Sequence, residues 1–190
     1  MKYLAALLLA VGFGGPAQAQ GVRIAGIDHV GINVPDLTQA EDFFSATFGC
    51  VALTHIGPFQ LKDLAAAGSA PRADNVRLAM LRCGAGANIE LFEYGNSRGS
   101  DAMPRAEDAG ASHIAFYTDD VRAGVAYLKS RGIEILGEPV TMASGDTEGE
   151  TWVHFQSPWG AEMELVSYPQ GKAYERRGGA RLWNPTAPTR

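Results

Sequence analysis

The chain has 190 residues, is 46% hydrophobic and carries a formal charge of −5 at pH 7. That length fits one compact domain, or two small halves packed as one. Five basic residues fall after Tyr168 against one acidic residue, Glu175, so the body from 20 to 168 is left at about −10; a surface of that sign excludes general binding to a phosphate backbone.

The chain opens on an address rather than on structure. Met1-Lys2 supplies a positive start, residues 4–13 are apolar, and Ala17-Gln18-Ala19 is a small-residue cleavage site. This is the layout of a secretory signal peptide cut after Ala19, and the apolar run is too short to span a bilayer. The expected compartment is therefore periplasmic or extracellular, with no membrane contact after cleavage.

Residues 23–34 read as a strand with Ile24, Ile27, Val30, Ile32 and Val34, ended by Pro35-Asp36. Asp36 is a candidate cap for a helix that carries Leu37, Ala40, Phe44 and Phe48 on one face and stops at Gly49. Residues 50–56 read as a second strand. The stretch 57–75, rich in Ala, Gly and Pro, reads as a long connection and a candidate pocket wall. Two further strands are expected at 76–82 and 88–94, followed by a polar linker over 95–110.

The order then recurs. Residues 112–118 read as a strand, Asp119-Asp120 opens a helix with Val121, Val125 and Leu128 inward, and Gly132 closes it. Strands follow at 133–136, 151–155 and 162–167. His29-Val-Gly-Ile-Asn-Val-Pro-Asp36-Leu37 aligns with His113-Ile-Ala-Phe-Tyr-Thr-Asp-Asp120-Val121 in strand, histidine, cap and helix. Internal duplication is the simplest account. The fold class is α+β: two βαβββ modules, about 22–95 and 111–168, in tandem around a cupped mixed sheet, with a basic tail over 169–190.

Each module puts a histidine in its first strand and a glutamate in its last. Glu90 and Glu164 sit among apolar neighbours, where a carboxylate is costly unless paired, protonated or bound to a cation. A pseudo-twofold packing would unite His29, Glu90, His113 and Glu164 around one divalent ion, and two nitrogens with two oxygens suit Ni, Zn, Co, Mn or Fe. By strand alternation, Phe92 and Tyr94 share a face with Glu90, and Tyr117 shares one with His113. These rings either line an aromatic pocket or pack as ordinary inner-face residues. Glu162 shares a face with Glu164 and is either its outer partner or a competing ligand. His55 and His154 have no repeat partner and read as structural or exposed. Cys50 and Cys83 lie at strand ends that antiparallel pairing would set side by side, and export permits a disulfide between them; two separate buried thiols are the alternative. Tyr174, Leu182 and Trp183 in the tail point to packing over the body or a partner subunit, against a frayed terminus.

The segments Ile27-Asp-His-Val-Gly-Ile-Asn-Val-Pro-Asp-Leu37, Ile89-Glu-Leu-Phe-Glu-Tyr94, Ser112-His-Ile-Ala-Phe-Tyr117 and Ser157-Pro-Trp-Gly-Ala-Glu-Met-Glu-Leu165 resemble the vicinal oxygen chelate superfamily. That superfamily contains glyoxalase I, methylmalonyl-CoA epimerase, fosfomycin-resistance proteins and extradiol dioxygenases. The resemblance, over about residues 24–168, implies that the four metal positions are His29, Glu90, His113 and Glu164, a set most like that of bacterial glyoxalase I. The family's epimerases usually have Gln at the second position. The chain departs from the family's Asp-Pro-Asp-Gly turn with Ser157-Pro-Trp-Gly160, which puts Trp159 at the expected pocket rim.

The resemblance implies a metal-dependent isomerase, epimerase or lyase acting on a small oxygenated substrate through an enediolate-type intermediate, with Glu164 or Glu90 moving the proton. It admits as alternatives a ring-cleaving dioxygenase with iron held by His29, His113 and Glu164, and a non-catalytic small-molecule binding or resistance protein. A homodimer is the family's default assembly.

Overall fold

The computed structural model describes residues 25–64, 72–97, 99–100, 102–178 and 181–187. The leader lies outside these residues, as does the first part of the expected opening strand.

The first module runs β1 (His29–Asn33), α1 (Leu37–Phe48), β2 (Val51–Gln60), the short helix α2 (Leu61–Leu64), β3 (Asn75–Arg82) and β4 (Asn88–Gly95). The second runs β5 (Ile114–Tyr117), α3 (Val121–Ser130), β6 (Ile135–Thr141), β7 (Thr151–Gln156) and β8 (Glu162–Ser167). Each module forms its own four-stranded mixed sheet, in the orders β1-β4-β3-β2 and β5-β8-β7-β6. β1 lies parallel to β4 and β5 parallel to β8, the remaining pairs being antiparallel. The repeat read from the sequence is thus a repeat of topology.

Several boundaries move. β1 begins at His29 because the stretch before it has no neighbour to pair with until Asn88 comes alongside. β2 runs through Gly57 to Gln60, residues expected in the connection, because irregular register lets Phe59 and Gln60 pair with Val76 and Asn75. β6 starts two residues late and extends to Thr141 by pairing Val140 with Trp152.

Both long helices start on an aspartate. The Asp36 carboxylate accepts from Gln39 N at 2.9 Å, and that of Asp120 accepts from Arg122 N and Ala123 N. α1 ends at Gly49, whose φ of 67° is the left-handed conformation a glycine adopts without strain. Glu93 ties the first helix to its sheet. Its carboxylate accepts from Leu37 N and from the Arg77 guanidinium, both at 2.7 Å. Cys50 and Cys83 form a disulfide with Cα atoms 4.3 Å apart, closing a 33-residue separation that contributes about 3–4 kcal/mol in the chain-entropy model.

One core serves both modules. The helix-side faces of the sheets supply Leu81, Ile89, Leu91, Val153, Phe155, Met163 and Leu165, and the helices add Leu37, Ala40, Phe43, Phe44, Val121, Val125 and Leu128. Aromatic rings join the halves. Phe48 stacks on Phe116 with centroids 4.2 Å apart, and Phe44 packs beside Phe116 and Trp159. Phe43 and Phe44 are both buried, where the expected stripe had Phe44 alone.

The tail lies on the body, held by backbone hydrogen bonds and ion pairs more than by its apolar residues, since Leu182 stays exposed. Residues Ala173–Arg177 form a 3-10 turn whose Ala173 N and Tyr174 N donate to the carbonyls of Glu148 and Asp146. Arg176 and Arg177 pair with the side chains of the same two residues. Lys172 pairs with Glu150, both largely buried, and its ammonium lies 4.4 Å from the Tyr168 ring centroid. Trp183 then lies against Gly86 in the β3–β4 turn of the first module.

Two predictions follow from these ties. Arg77 beside Glu93, aided by the Leu37 amide, holds the Glu93 carboxyl below its usual range. Its charge therefore stabilises the fold above the ordinary glutamate pKa, and that stabilisation is lost as pH falls through the lowered value. Glu93→Gln is expected to cost about 1–2 kcal/mol at pH 7, with the gap to wild type closing in acid, measured by urea unfolding across pH. Lys172→Ala leaves the Glu150 carboxylate buried without its cation and is expected to cost about 2–3 kcal/mol. Lys172→Met with Glu150→Gln should recover most of that loss in thermal melts.

Candidate metal centre

Strand alternation gives each sheet a second face, opposite the shared core. In the first module that face carries His29 and Gly31 of β1 beside Glu90, Phe92 and Tyr94 of β4, in register with Met80, Leu78 and Val76 of β3. In the second it carries Tyr117 of β5, Glu162, Glu164 and Val166 of β8, and Trp152, His154 and Gln156 of β7. His113, one residue before β5, sits at the near end of the same face.

His29 Nε2 lies 3.0 Å from Glu90 Oε2, and His113 Nε2 lies 3.0 Å from Glu164 Oε2. Both modules therefore build the same imidazole–carboxylate pair, from a first strand and a last strand lying parallel. The glutamates are mostly covered and the imidazoles nearly half exposed. Asp28 sits 2.8 Å from the other nitrogen of His29. Its hydrogen bond is the largest influence and raises the His29 pKa; burial opposes it, and the charges of Glu90 and Asp28 add to the rise. Gly31 is the small residue this arrangement needs, because a Cβ there would come within 3.1 Å of the Phe92 ring and 3.9 Å of Glu90 Oε2.

The two pairs are not gathered into one cluster of four within a chain. Among the described residues, the donor atoms that lie within 4.8 Å of one another belong to His113, His154 and Glu164. The expected pseudo-twofold packing set the ligand-bearing faces toward each other; here the shared aromatic core joins the opposite faces. A cleft of about 570 Å³ nevertheless runs from Gly31 and Asn33 to His113, His154 and Glu162, walled by Met103 and Trp159.

His154 was not legible as a site residue, having no counterpart in the first module. Its Nε2 is 3.7 Å from Glu164 Oε2, and its Nδ1 contacts Glu162. The missed signal is hairpin arithmetic. The Ser157–Gly160 turn, closed by Gly160 N to Ser157 O at 2.9 Å, pairs His154 with Glu164 symmetrically about Trp159. Glu162, read as an outer partner or a competing ligand, is the partner of His154. His55 pairs instead with Glu41 at 2.7 Å, away from the site.

The expected pocket rings divide. Phe92 and Tyr94 lie nearly parallel, centroids 6.1 Å apart, on the ligand face. Tyr117 meets Tyr168 edge to face at 5.0 Å, and burial pushes the Tyr168 phenol up to about 12. Both line a cavity of about 720 Å³ shared with Glu164, Glu150, Lys172 and Trp183. Trp159 contributes an edge to the cleft, but its ring packs on Phe43 and Phe44.

The donors fit a divalent ion. Nitrogen and oxygen atoms about 3 Å apart match the edge of a polyhedron with bonds of about 2.0–2.2 Å, and the set mixes imidazole with carboxylate as first-row metals prefer.

Residues 26–165 match the model of the Glyoxalase/Bleomycin resistance protein/Dioxygenase superfamily, and the chain belongs to that superfamily. A 2-epi-5-epi-valiolone epimerase from Actinomyces sp is 36% identical over 165 residues, covering 84% of this chain and 88% of the relative. A glyoxalase family protein from Bacillus cereus superposes with a TM-score of 0.61 at 19% identity, over 80% of this chain and 98% of that one. One from Enterococcus faecalis gives 0.57 at 22% identity, over 75% and 98%. These two structural likenesses establish the fold.

Trp159→Ala is expected to cost about 2–4 kcal/mol through lost packing on Phe43 and Phe44, read by urea unfolding. A loss below about 0.5 kcal/mol would return Trp159 to the role of a simple pocket rim.

Proposed function

We propose that the chain is an exported, metal-dependent epimerase or isomerase acting on a small oxygenated substrate. The observation that carries this reading is the repeated imidazole–carboxylate pair, His29 with Glu90 and His113 with Glu164, on largely covered glutamates. The reaction class is supported by the epimerase relative. Export is supported by the leader and by the disulfide, which persists in an oxidising compartment.

His29, Glu90, His113 and Glu164 would hold the ion. When bound, it supplies two-point attachment of vicinal oxygens and charge stabilisation as a neighbouring carbon loses its proton. The proton work belongs to the chain. Glu164 is the base that takes the proton from the carbon beside the carbonyl at short range. Glu90 of the other module, starting protonated, would give its proton to the opposite side of that carbon and so invert the centre; Glu164 then releases its proton to solvent and Glu90 takes one up. Asp28 orients the His29 ring, and Phe92 and Tyr94 offer an apolar wall that fixes the substrate's face.

One chain keeps the two donor pairs apart, and we propose that a second copy unites them, the ligand face of one first module meeting that of a partner's second module. Exposed apolar side chains on the first module's ligand face, Val51, Ile56 and Phe59, support this assembly, since such patches mark interaction surfaces.

Glu164→Gln is expected to lower turnover by about 10³-fold and to abolish solvent-deuterium incorporation. Glu90→Gln should keep its metal, because an amide carbonyl still ligates, while slowing the return of the proton. Metal content and deuterium in substrate and product check both. A Glu90→Gln protein with full metal and O₂-dependent turnover would instead establish a dioxygenase.

A further inference from the structure

The second module holds one more donor than the fourfold set uses. His154 stands on β7 directly opposite Glu164 of β8, with Nε2 turned toward the Glu164 carboxylate at 3.7 Å, and its ring centroid lies 5.1 Å from that of His113. Its other nitrogen is taken by Glu162, the next residue of the same face on β8. Asp28 does the same for His29, holding Nδ1 while Nε2 faces Glu90. A carboxylate on one imidazole nitrogen keeps the proton there and leaves the other with a free lone pair, which is how ligating histidines are oriented. Trp152 flanks the ring at 5.2 Å and limits its rotation.

Resting on the reading that the chain holds an ion, we propose that His154 is itself a metal donor. His113, His154 and Glu164 then form a three-donor site complete within the second module, able to take a divalent ion without His29 and Glu90. The three donor atoms lie within 4.8 Å of one another in a single chain, so no rearrangement between modules and no partner is needed to load the site. Two imidazoles and one carboxylate leave further positions of the ion open. His29 and Glu90 would add to an ion already held, which separates metal capture from completion of the active site.

Chelator-stripped full-length protein titrated with Co²⁺, followed by calorimetry and by the visible absorption of the bound ion, tests this. Wild type and the His29→Ala/Glu90→Ala double variant are each expected to bind one ion per chain, with affinities within about tenfold. Adding His154→Ala to the double variant should weaken binding by at least about a hundredfold, and Glu162→Gln by about ten- to a hundredfold. Circular dichroism checks that each variant is folded, and His154→Phe, which keeps the ring volume beside Trp152, provides a second removal of the donor. A double variant that loses the ion, or His154 variants that bind as tightly as their parent, overturns the three-donor site while leaving the fourfold one standing. Wild-type protein that takes no ion overturns both.

Discussion

The aromatic seam between the modules decides what the molecule can do. Phe48 stacked on Phe116, with Phe44, Phe155 and Trp159 around them, joins the helix-side faces of the two sheets into one interior. Because strand side chains alternate, everything on the other faces is turned outward by the same act. Glu90 and Glu164 cannot be both in the core and at a site; their neighbours Ile89, Leu91, Met163 and Leu165 take the core positions instead. Ligand faces are thus a by-product of how the core is filled. Removing bulk from the seam should disturb both donor pairs.

The repeated topology explains why the pairs are alike, and the departures from the repeat explain why they are not equivalent. Both modules place a histidine at the mouth of a short parallel strand and a glutamate on its neighbour. Only the second adds His154 and Glu162, through a tight turn that sets β7 and β8 in register. The first has Asp28 in the corresponding outer role. The same scaffold carries three candidate donors in the second module and two in the first.

Much of this was legible in the residues. Asp36, Gly49 and Asp120 marked helix ends by side-chain chemistry that acts over a single turn, and the structure keeps them. The matched His and Glu positions were legible because a carboxylate among Ile, Leu and Met on a strand asks for a cation or a partner. What could not be read was long-range. The extra length of β2 depends on irregular pairing with β3, and the position of His154 depends on a hairpin register that alternation alone leaves free by two residues. Which faces of the sheets meet is set by the fit of aromatic rings from both modules, and no local pattern encodes it.

The tail has a practical consequence. Trp183 and Pro185 form part of the wall of the larger cavity, together with Gly86 and Lys172, so this part of the tail borders the space that also reaches Glu164. A bulky label attached at Asn184 or Thr186 would stand beside that cavity wall and could pull Trp183 from its seat. Surface attachment for binding measurements is better made on the exposed outer side of α3, at Lys129, which lies outside both cavities.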